Sequence, residues 1–211
     1  VIKLFFFFSS VSLGIDNSNV RADILNADLN KIHVWANRWK LIFNEDKTDL
    51  LNFKRGSAPV HDLFFGNSTL QETQNHKHLG LIIQSDCRWG GHIDFVAKKV
   101  NMLVACLRSY KYCLGRKALE TIYKSFILPI FDYADIIWDS CTEGQSLVLE
   151  NLHREAIRII IGGVKGTSHQ KLYAESGFTT LKDRRKRHRL IMYFKIVNGL
   201  CPDYLIELLP P

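Results

Sequence analysis

The sequence predicts an α+β fold in which a small β-containing segment precedes a bundle of helices. Three observations predict it. Before Trp89, apolar residues come in short runs bounded by Gly, Pro, Asn, Asp and Ser, which is the length and punctuation of strands. After Trp89, Ile93, Val96, Val100, Leu103 and Leu107 recur at three- and four-residue steps, with Lys98, Lys99 and Arg108 off that face. Beyond that point Gly115, Pro129, Gly144, Gly162-Gly163 and Gly177 fall between such runs, where helices stop.

The totals exclude several classes. A chain of 211 residues, 46% hydrophobic and 23% charged, buries a core and is neither disordered nor fibrous. The net charge of +7 is unevenly placed: residues 1–150 hold 17 Lys and Arg against 16 Asp and Glu, whereas residues 151–200 hold 11 against 3. One basic surface on a balanced protein suits nucleic acid or an acidic membrane. A solvated charged helix is the plainer alternative. The five cysteines (Cys87, Cys106, Cys113, Cys141, Cys201) show no paired spacing, so a reducing, intracellular compartment, nuclear or cytoplasmic, is expected. Three of them fall in apolar helical segments, where a free Cys behaves as a small hydrophobe.

Taken in order, the chain opens VIKLFFFFSSVSLGI, starting at Val1 rather than Met, which reads as part of a longer protein. The apolar run is too short to span a bilayer, which takes about 20 residues, and no small-residue cleavage site follows it. A buried strand fits better. Asn17-Ser18-Asn19 offers an N-cap for a helix over about Val20 to Lys40, with Leu25, Leu29, Ile32, Ala36 and Trp39 as its stripe and Trp35 beside it. Leu41-Ile42-Phe43 reads as a strand, Asn44 to Lys47 as a turn, and Thr48 to Phe53 as a second strand. Lys54 to Asp62 is a loop. Leu63-Phe64-Phe65, Gly66-Asn67 and Ser68 to Thr73 make a hairpin. His78-Leu79-Gly80-Leu81-Ile82-Ile83 has the length of one buried strand. Helices are expected at about 92–112, 116–128, 130–138, 145–161, 168–176 and 180–198.

Several blocks in this order resemble the reverse transcriptases of non-LTR (long-interspersed-element, jockey-like) retrotransposons. The first is Trp35, Trp39, Asn44, Lys47, Thr48 and Phe53, in the region called motif D in palm polymerases. The second is His78-Leu79-Gly80-Leu81-Ile82-Ile83 followed by Trp89-Gly90-Gly91-His92-Ile93, with His78 where the family has another aromatic. The third is Leu119, Tyr123-Lys124, Leu128-Pro129, Asp132-Tyr133 and Trp138; then come Arg154, Ala156 and Arg158 to Gly162. The last runs from Arg184-Arg185 through His188, Tyr193, Lys195 and Asn198-Gly199-Leu200 to Tyr204-Leu205.

The resemblance implies a palm remnant over 1–90 and an α-helical thumb with C-terminal helices over 91–211. The thumb would hold an RNA or DNA template–primer duplex, and no membrane partner is expected; the oligomeric state is left open. It also implies a primer-grip-like hairpin at His78, Leu79 and Gly80, where Gly80 permits close approach of the primer end. A bulge in a buried strand is the alternative for Gly80.

The chemistry of that family joins a 3′-hydroxyl to a nucleotide with two Mg²⁺ ions held by paired Asp residues. Its Asp-Asp hairpin would fall near Val1 to Phe5, which carries no carboxylate, so this chain is expected to be an inactive fragment with no catalytic set, metal ligand or cofactor of its own. Mg²⁺ belongs to the intact family enzyme. Lys47 matches the motif D lysine, a general acid toward the leaving pyrophosphate, but alone it is a turn lysine. Asp132 with Asp135, or Asp135 with Asp139, share a helical face and read as surface acids or caps. His76, His78, Cys87 and His92 match no zinc spacing. Gly162-Gly163 follows a helix and caps it.

The resemblance makes Lys182-Asp183-Arg184-Arg185-Lys186-Arg187-His188-Arg189, with six full positive charges, together with Lys98, Lys99 and Arg108, the candidate binding surface; a solvated basic face or a nuclear-localisation-like run is the alternative for residues 182–189. Six phosphate contacts would give a log–log salt slope of roughly −5. The function expected is therefore that of a reverse transcriptase fragment retaining its template–primer-binding thumb. A stand-alone nucleic-acid-binding module derived from a retroelement is the alternative, and a secreted or membrane-associated protein led by the Phe-rich start is a third.

Overall fold

A computed structural model of the chain describes residues 2–6, 9–13, 19–41, 43, 48–53, 62–164, 166–207 and 209. They form two compact units, Val1–Gly91 and His92–Pro211. The class is α+β, with helix dominant and the sheets small.

In the first unit, β1 (Ile2–Phe6) pairs antiparallel with β2 (Ser9–Leu13) and with β3 (Asp49–Asn52), and β3 pairs parallel with β6 (Gln71–Thr73). The sheet order is β2-β1-β3-β6, so the Phe-rich start is a hairpin rather than a single strand, and β1 lies inside the sheet. Leu50 and Leu51 point to opposite faces of β3 and both are buried.

Helix α1 (Asn19–Arg38) covers a core of Leu25, Leu29, Leu50, Leu63, Phe65 and Leu70, with Ile32 and Phe43 against it. The Asn26 side chain ties the helix to the next hairpin, accepting from the Phe64 N–H at 2.9 Å and donating to the Asp62 carbonyl at 3.3 Å. That hairpin is β4 (Phe64–Phe65) and β5 (Ser68–Thr69), turning at Gly66-Asn67 as the sequence predicts. Trp39 leaves the expected stripe: it is 64% exposed, because the helix ends at Arg38.

Of the strand expected over Leu41-Ile42-Phe43, Leu41 and Phe43 are in no strand, and Ile42 lies outside the described residues. Lys40 takes a φ of 57°, the Leu41 N–H donates to Ala36 O at 2.9 Å, and the Lys40 N–H to Asn37 O at 3.2 Å. This is a complete Schellman stop, which reverses the chain at Leu41.

The run from His78 to Ile83 is not one strand. It is the turn and second arm of a hairpin, β7 (Asn75–His78) and β8 (Leu81–Gln84), paired His78 with Leu81. Leu79 and Gly80 carry φ values of 46° and 84°, the two positive angles of a type I′ turn. The turn's twist matches that of the strands, so the apolar run folds back and leaves Leu79 74% exposed at the tip. At the end of this unit, where α2 (Gly90–Tyr110) begins, the Gly91 N–H donates to Gln84 Oε1 at 2.7 Å.

The second unit is helical: α2, α3 (Arg116–Ile122), α4 (Leu128–Asp132), α5 (Asp135–Trp138), α6 (Glu143–Ile161), α7 (His169–Ser176) and α8 (Leu181–Val197). Its core takes Ile93, Val96, Val100, Val104 and Leu107 from α2, where Val104 is buried and the expected Leu103 only half-buried. From the other helices and the π-helical turn, Leu119, Tyr123, Phe131, Trp138, Ile157 and Leu172 are buried as well.

Pro129 does not stop a helix here. A π-helical turn over Tyr123–Ile127 widens the backbone just before α4, in which Pro129 occupies the first turn. Proline lacks an N–H and crowds the carbonyl four residues back, and a wider turn relieves both problems. The true break is at Ala134, with φ 51°. Gly144 likewise lies inside α6: the stop signal is Thr142, whose hydroxyl accepts from the Gln145 N–H while the Gln145 side chain caps Thr142. Gly162 and Gly177 end α6 and α7 with positive φ, as expected of C-caps. All five cysteines are free; Cys87, Cys106 and Cys113 are exposed and Cys141 and Cys201 half-buried, so none is a core residue.

Candidate nucleic-acid interface

Helix α8 carries the basic run, and its packing divides that run in two. Thr180 caps it, accepting from the Asp183 N–H at 3.0 Å. One side faces the bundle through ion pairs. Arg184 forks onto Asp132, Nε to Oδ1 at 2.9 Å and a terminal nitrogen to Oδ2 at 2.5 Å. Arg185, only 4% exposed, donates to Asp139 at 2.8 Å and to Ser146 Oγ at 2.6 Å, with its guanidinium 5.5 Å from the centre of the buried Trp138 ring. His188 Nδ1 lies 2.6 Å from the buried Asp135 carboxylate, and Arg189 Nε lies 3.0 Å from the second oxygen of Asp139. The side-on Arg184 pair raises the guanidinium's already high pKa, chiefly through its bonds to Asp132.

The expectation for Asp132, Asp135 and Asp139 therefore changes. They are neither surface acids nor caps but the receiving row for α8. Buried cations need such partners, because desolvation without one costs several kcal/mol, on the order of 3–5. The signal was in the sequence: acids at three- and four-residue steps in one helical segment, and cations at Arg184, Arg185 and His188 in another. Nothing in the sequence said that the two segments meet.

Of the residues proposed to touch phosphate, Arg185 is thus turned inward and Arg184 spends its Nε and one terminal nitrogen on Asp132. Lys182, Lys186 and Arg187 are exposed, and among the described residues none has an acidic partner. Arg189 is paired yet still 56% exposed along its side chain. On α2, Lys98 and Lys99 are exposed with no acidic partner among the described residues, whereas Arg108 donates to Glu155 at 3.0 Å.

The primer-grip-like residues belong to the first unit. His78 closes β7, its ring 6.1 Å from that of His76 on the same face, and Leu79-Gly80 form the exposed turn. Lys47, the motif D-like lysine, lies outside the described residues.

Beneath α8 the helical unit holds a buried polar network. His153 is fully buried. Its Nε2 lies 3.0 Å from the Thr179 carbonyl, which can only accept, so Nε2 carries the proton and Nδ1 accepts from the Tyr123 hydroxyl. Burial holds the His153 imidazole below its ordinary pKa and pushes the Tyr123 hydroxyl well up. Glu150, also buried, accepts from the Tyr173 hydroxyl and from the Leu181 N–H at 3.0 Å, placing a carboxylate at the N-terminus of α8. Burial, with Glu150 beside it, raises the Tyr173 hydroxyl as well.

The Mg²⁺ that the family resemblance implies does not fit the residues described. Asp132, Asp135 and His188 do offer ligand atoms within 4.8 Å of one another. Both oxygens of Asp132 are held by Arg184, and the His188 nitrogen that faces the cluster is taken by Asp135. A hard cation needs open oxygens, so no step is derived through this cluster. Among the described residues, no helix is long and apolar enough to cross a membrane.

Comparison with known proteins agrees with the resemblance. Over 120 residues, 56% of the chain, it is 28% identical to the Retrovirus-related Pol polyprotein from type-1 retrotransposable element R1 4 of Nasonia vitripennis. Over 161 residues, 73% of the chain, it is 21% identical to the Probable RNA-directed DNA polymerase from transposon X-element of Drosophila melanogaster. The matched stretches span 31% and 17% of those two proteins. No protein-family model matches the chain, and no solved structure does. The chain is related to the reverse transcriptases of non-LTR retrotransposons.

Proposed function

We propose that this chain is the template–primer-holding part of a retroelement reverse transcriptase. In this reading residues 1–90 are the end of a palm, with the β7–β8 turn as the primer grip, and residues 91–211 are a helical thumb. The duplex is held by its phosphates, which position it without reading sequence. The carboxylates that bind the catalytic metals are not supplied by this chain.

One observation carries the reading. On a unit where Arg184, Arg185 and Arg189 of α8 are paired internally, Lys182, Lys186 and Arg187, with Lys98 and Lys99 on α2, stand open and without acidic partners among the described residues. Open cations are the ones able to release counterions when a phosphate arrives.

Binding of a short RNA–DNA duplex, followed by fluorescence anisotropy over a salt series, tests it. Affinity should fall steeply with salt, and replacing Lys98 and Lys99 with Gln should flatten the log–log slope by roughly 2, at about 0.9 per lost contact. No Mg²⁺-dependent primer extension is expected. An unchanged slope, or an extended primer abolished by substituting an Asp of this chain, would overturn the reading.

A further inference from the structure

We propose that the exposed stripe of α8 formed by Lys182, Lys186, Arg189 and Tyr193 is a track for an unpaired nucleic-acid strand, with phosphates on the three cations and one base stacked on Tyr193. The inference rests on the nucleic-acid reading above and assigns the α8 part of that surface to a single strand.

The four residues follow steps of four, three and four. At 3.6 residues per turn they lie within an arc of roughly 60° that flanks Arg185, whose own side chain is turned into the bundle. They span about 16 Å along the axis, with neighbours about one turn apart. An extended strand places successive phosphates at a comparable spacing. Lys182 and Lys186 are exposed, and among the described residues neither has an acidic partner. Arg189 spends its Nε on Asp139 and stays more than half exposed, which leaves its terminal nitrogens for an anion. Beyond them Tyr193 is 57% exposed, its ring available on the same line.

The same cations form one wall of an open groove of about 620 Å³ between the starts of α6 and α8. Most carboxylates on that groove are already engaged. Asp139 holds two arginines, Glu150 accepts from Tyr173 and Leu181, and Asp183 accepts from the Thr180 hydroxyl at 2.7 Å; Glu143 is the exception.

An aromatic ring in line with cations suits an unpaired strand better than a duplex, whose bases have their faces covered by their neighbours. Stacking on an exposed ring is sequence-tolerant and contributes to affinity together with a basic groove. A lipid surface suits the helix less well. Membrane-lying helices separate charge from apolar residues across their faces along the whole length. On α8 the division runs lengthwise: charge before Leu190, and exposed Leu190, Ile191, Phe194 and Val197 after it.

The test uses the whole chain, a labelled 12-mer of deoxythymidine and a blunt duplex of the same length. Tyr193→Ala should weaken single-strand binding about tenfold, leave duplex binding within twofold, and leave the far-UV melting curve unchanged, because the side chain is exposed. Tyr193→Phe should retain binding. Lys182→Gln with Lys186→Gln should flatten the single-strand salt slope by roughly 1.4, at about 0.7 per contact. The proposal is overturned if Tyr193→Ala leaves single-strand affinity intact, or weakens both probes equally. It is overturned too if the chain binds phosphatidylserine-containing vesicles in preference to the 12-mer and Tyr193→Ala abolishes that binding. A chain that binds the duplex but not the 12-mer loses this inference alone, while one that binds neither loses the nucleic-acid reading as well.

Discussion

His153 shows how much one buried side chain can commit. It has two polar partners, Thr179 and Tyr123, and both bonds are made only by the neutral ring protonated at Nε2. Its folded pKa lies below the ordinary 6.5, and burial lowers that of His92 too. The sign follows directly. Above pH 6.5 both states leave the rings neutral and folding is unaffected. Below it the unfolded chain takes up protons that the folded chain refuses, so stability falls as pH drops, by up to about 1.4 kcal/mol per pH unit for each such ring. The carboxyl of Glu120, lowered chiefly by its bond to Lys124, acts only below its ordinary 4.5, so the interval from 7 to 5 isolates the histidines. Urea midpoints should therefore be lower at pH 5 than at pH 7.5, and His153→Gln, which keeps a donor and an acceptor, should narrow the gap. Equal wild-type midpoints at the two pH values would refute this.

At the scale of elements, α8 is held by charge more than by apolar area. Leu181 and Arg185 are its buried residues, while Leu190, Tyr193, Phe194 and Val197 remain more than half exposed. Removing one partner of a buried pair leaves the other desolvated and alone. Asp139→Ala, which strands Arg185, should cost about 3 kcal/mol in urea unfolding, whereas Lys186→Ala should cost under about 0.5 kcal/mol. Similar costs for the two would mean that the pair is not buried in solution. The same contrast separates the basic run into the inward Arg184 and Arg185 and the open Lys182, Lys186 and Arg187, with Arg189 between the two, a division hidden in the sequence because all six cations look alike there.

For the whole molecule, two units with their own cores stand behind the division at Gly91–His92. Trp138 is fully buried in the helical unit, while Trp35 and Trp39 in the first unit are 51% and 64% exposed. Trp89, half-buried, lies in the first unit, so the part of the emission change that Trp138→Phe removes should follow the helical unit, and far-UV circular dichroism should follow both. We expect that Trp138-dependent change and the circular dichroism to trace separate urea transitions. Coincident curves would show the units unfolding together. The relatives' proteins extend well beyond the matched stretch, so the polymerase activity in one of their names comes to this chain only through the proposal made above.

The sequence alone determined the order of parts: local patterns located the switch near Trp89, the helices expected over about 92–112, 145–161, 168–176 and 180–198, the Gly66-Asn67 turn and the caps at Gly162 and Gly177. Those features depend on neighbours a few residues away. It also carried, through blocks of residues in order, the relation to retroelement reverse transcriptases. Only the tertiary structure decided that Leu79-Gly80 is a turn, that a π-helical turn carries the chain past Pro129, and that Arg184 and Arg185 serve the fold while Lys182 and Lys186 face outward. The fate of the arginines depends on contacts between segments dozens of residues apart, such as Asp132 with Arg184 or Asp139 with Arg185, and the Leu79-Gly80 turn on strand pairing that local pattern cannot count. Whether a cation is spent inside or offered outside is set by what packs against it, and a linear pattern of charges contains no such partner.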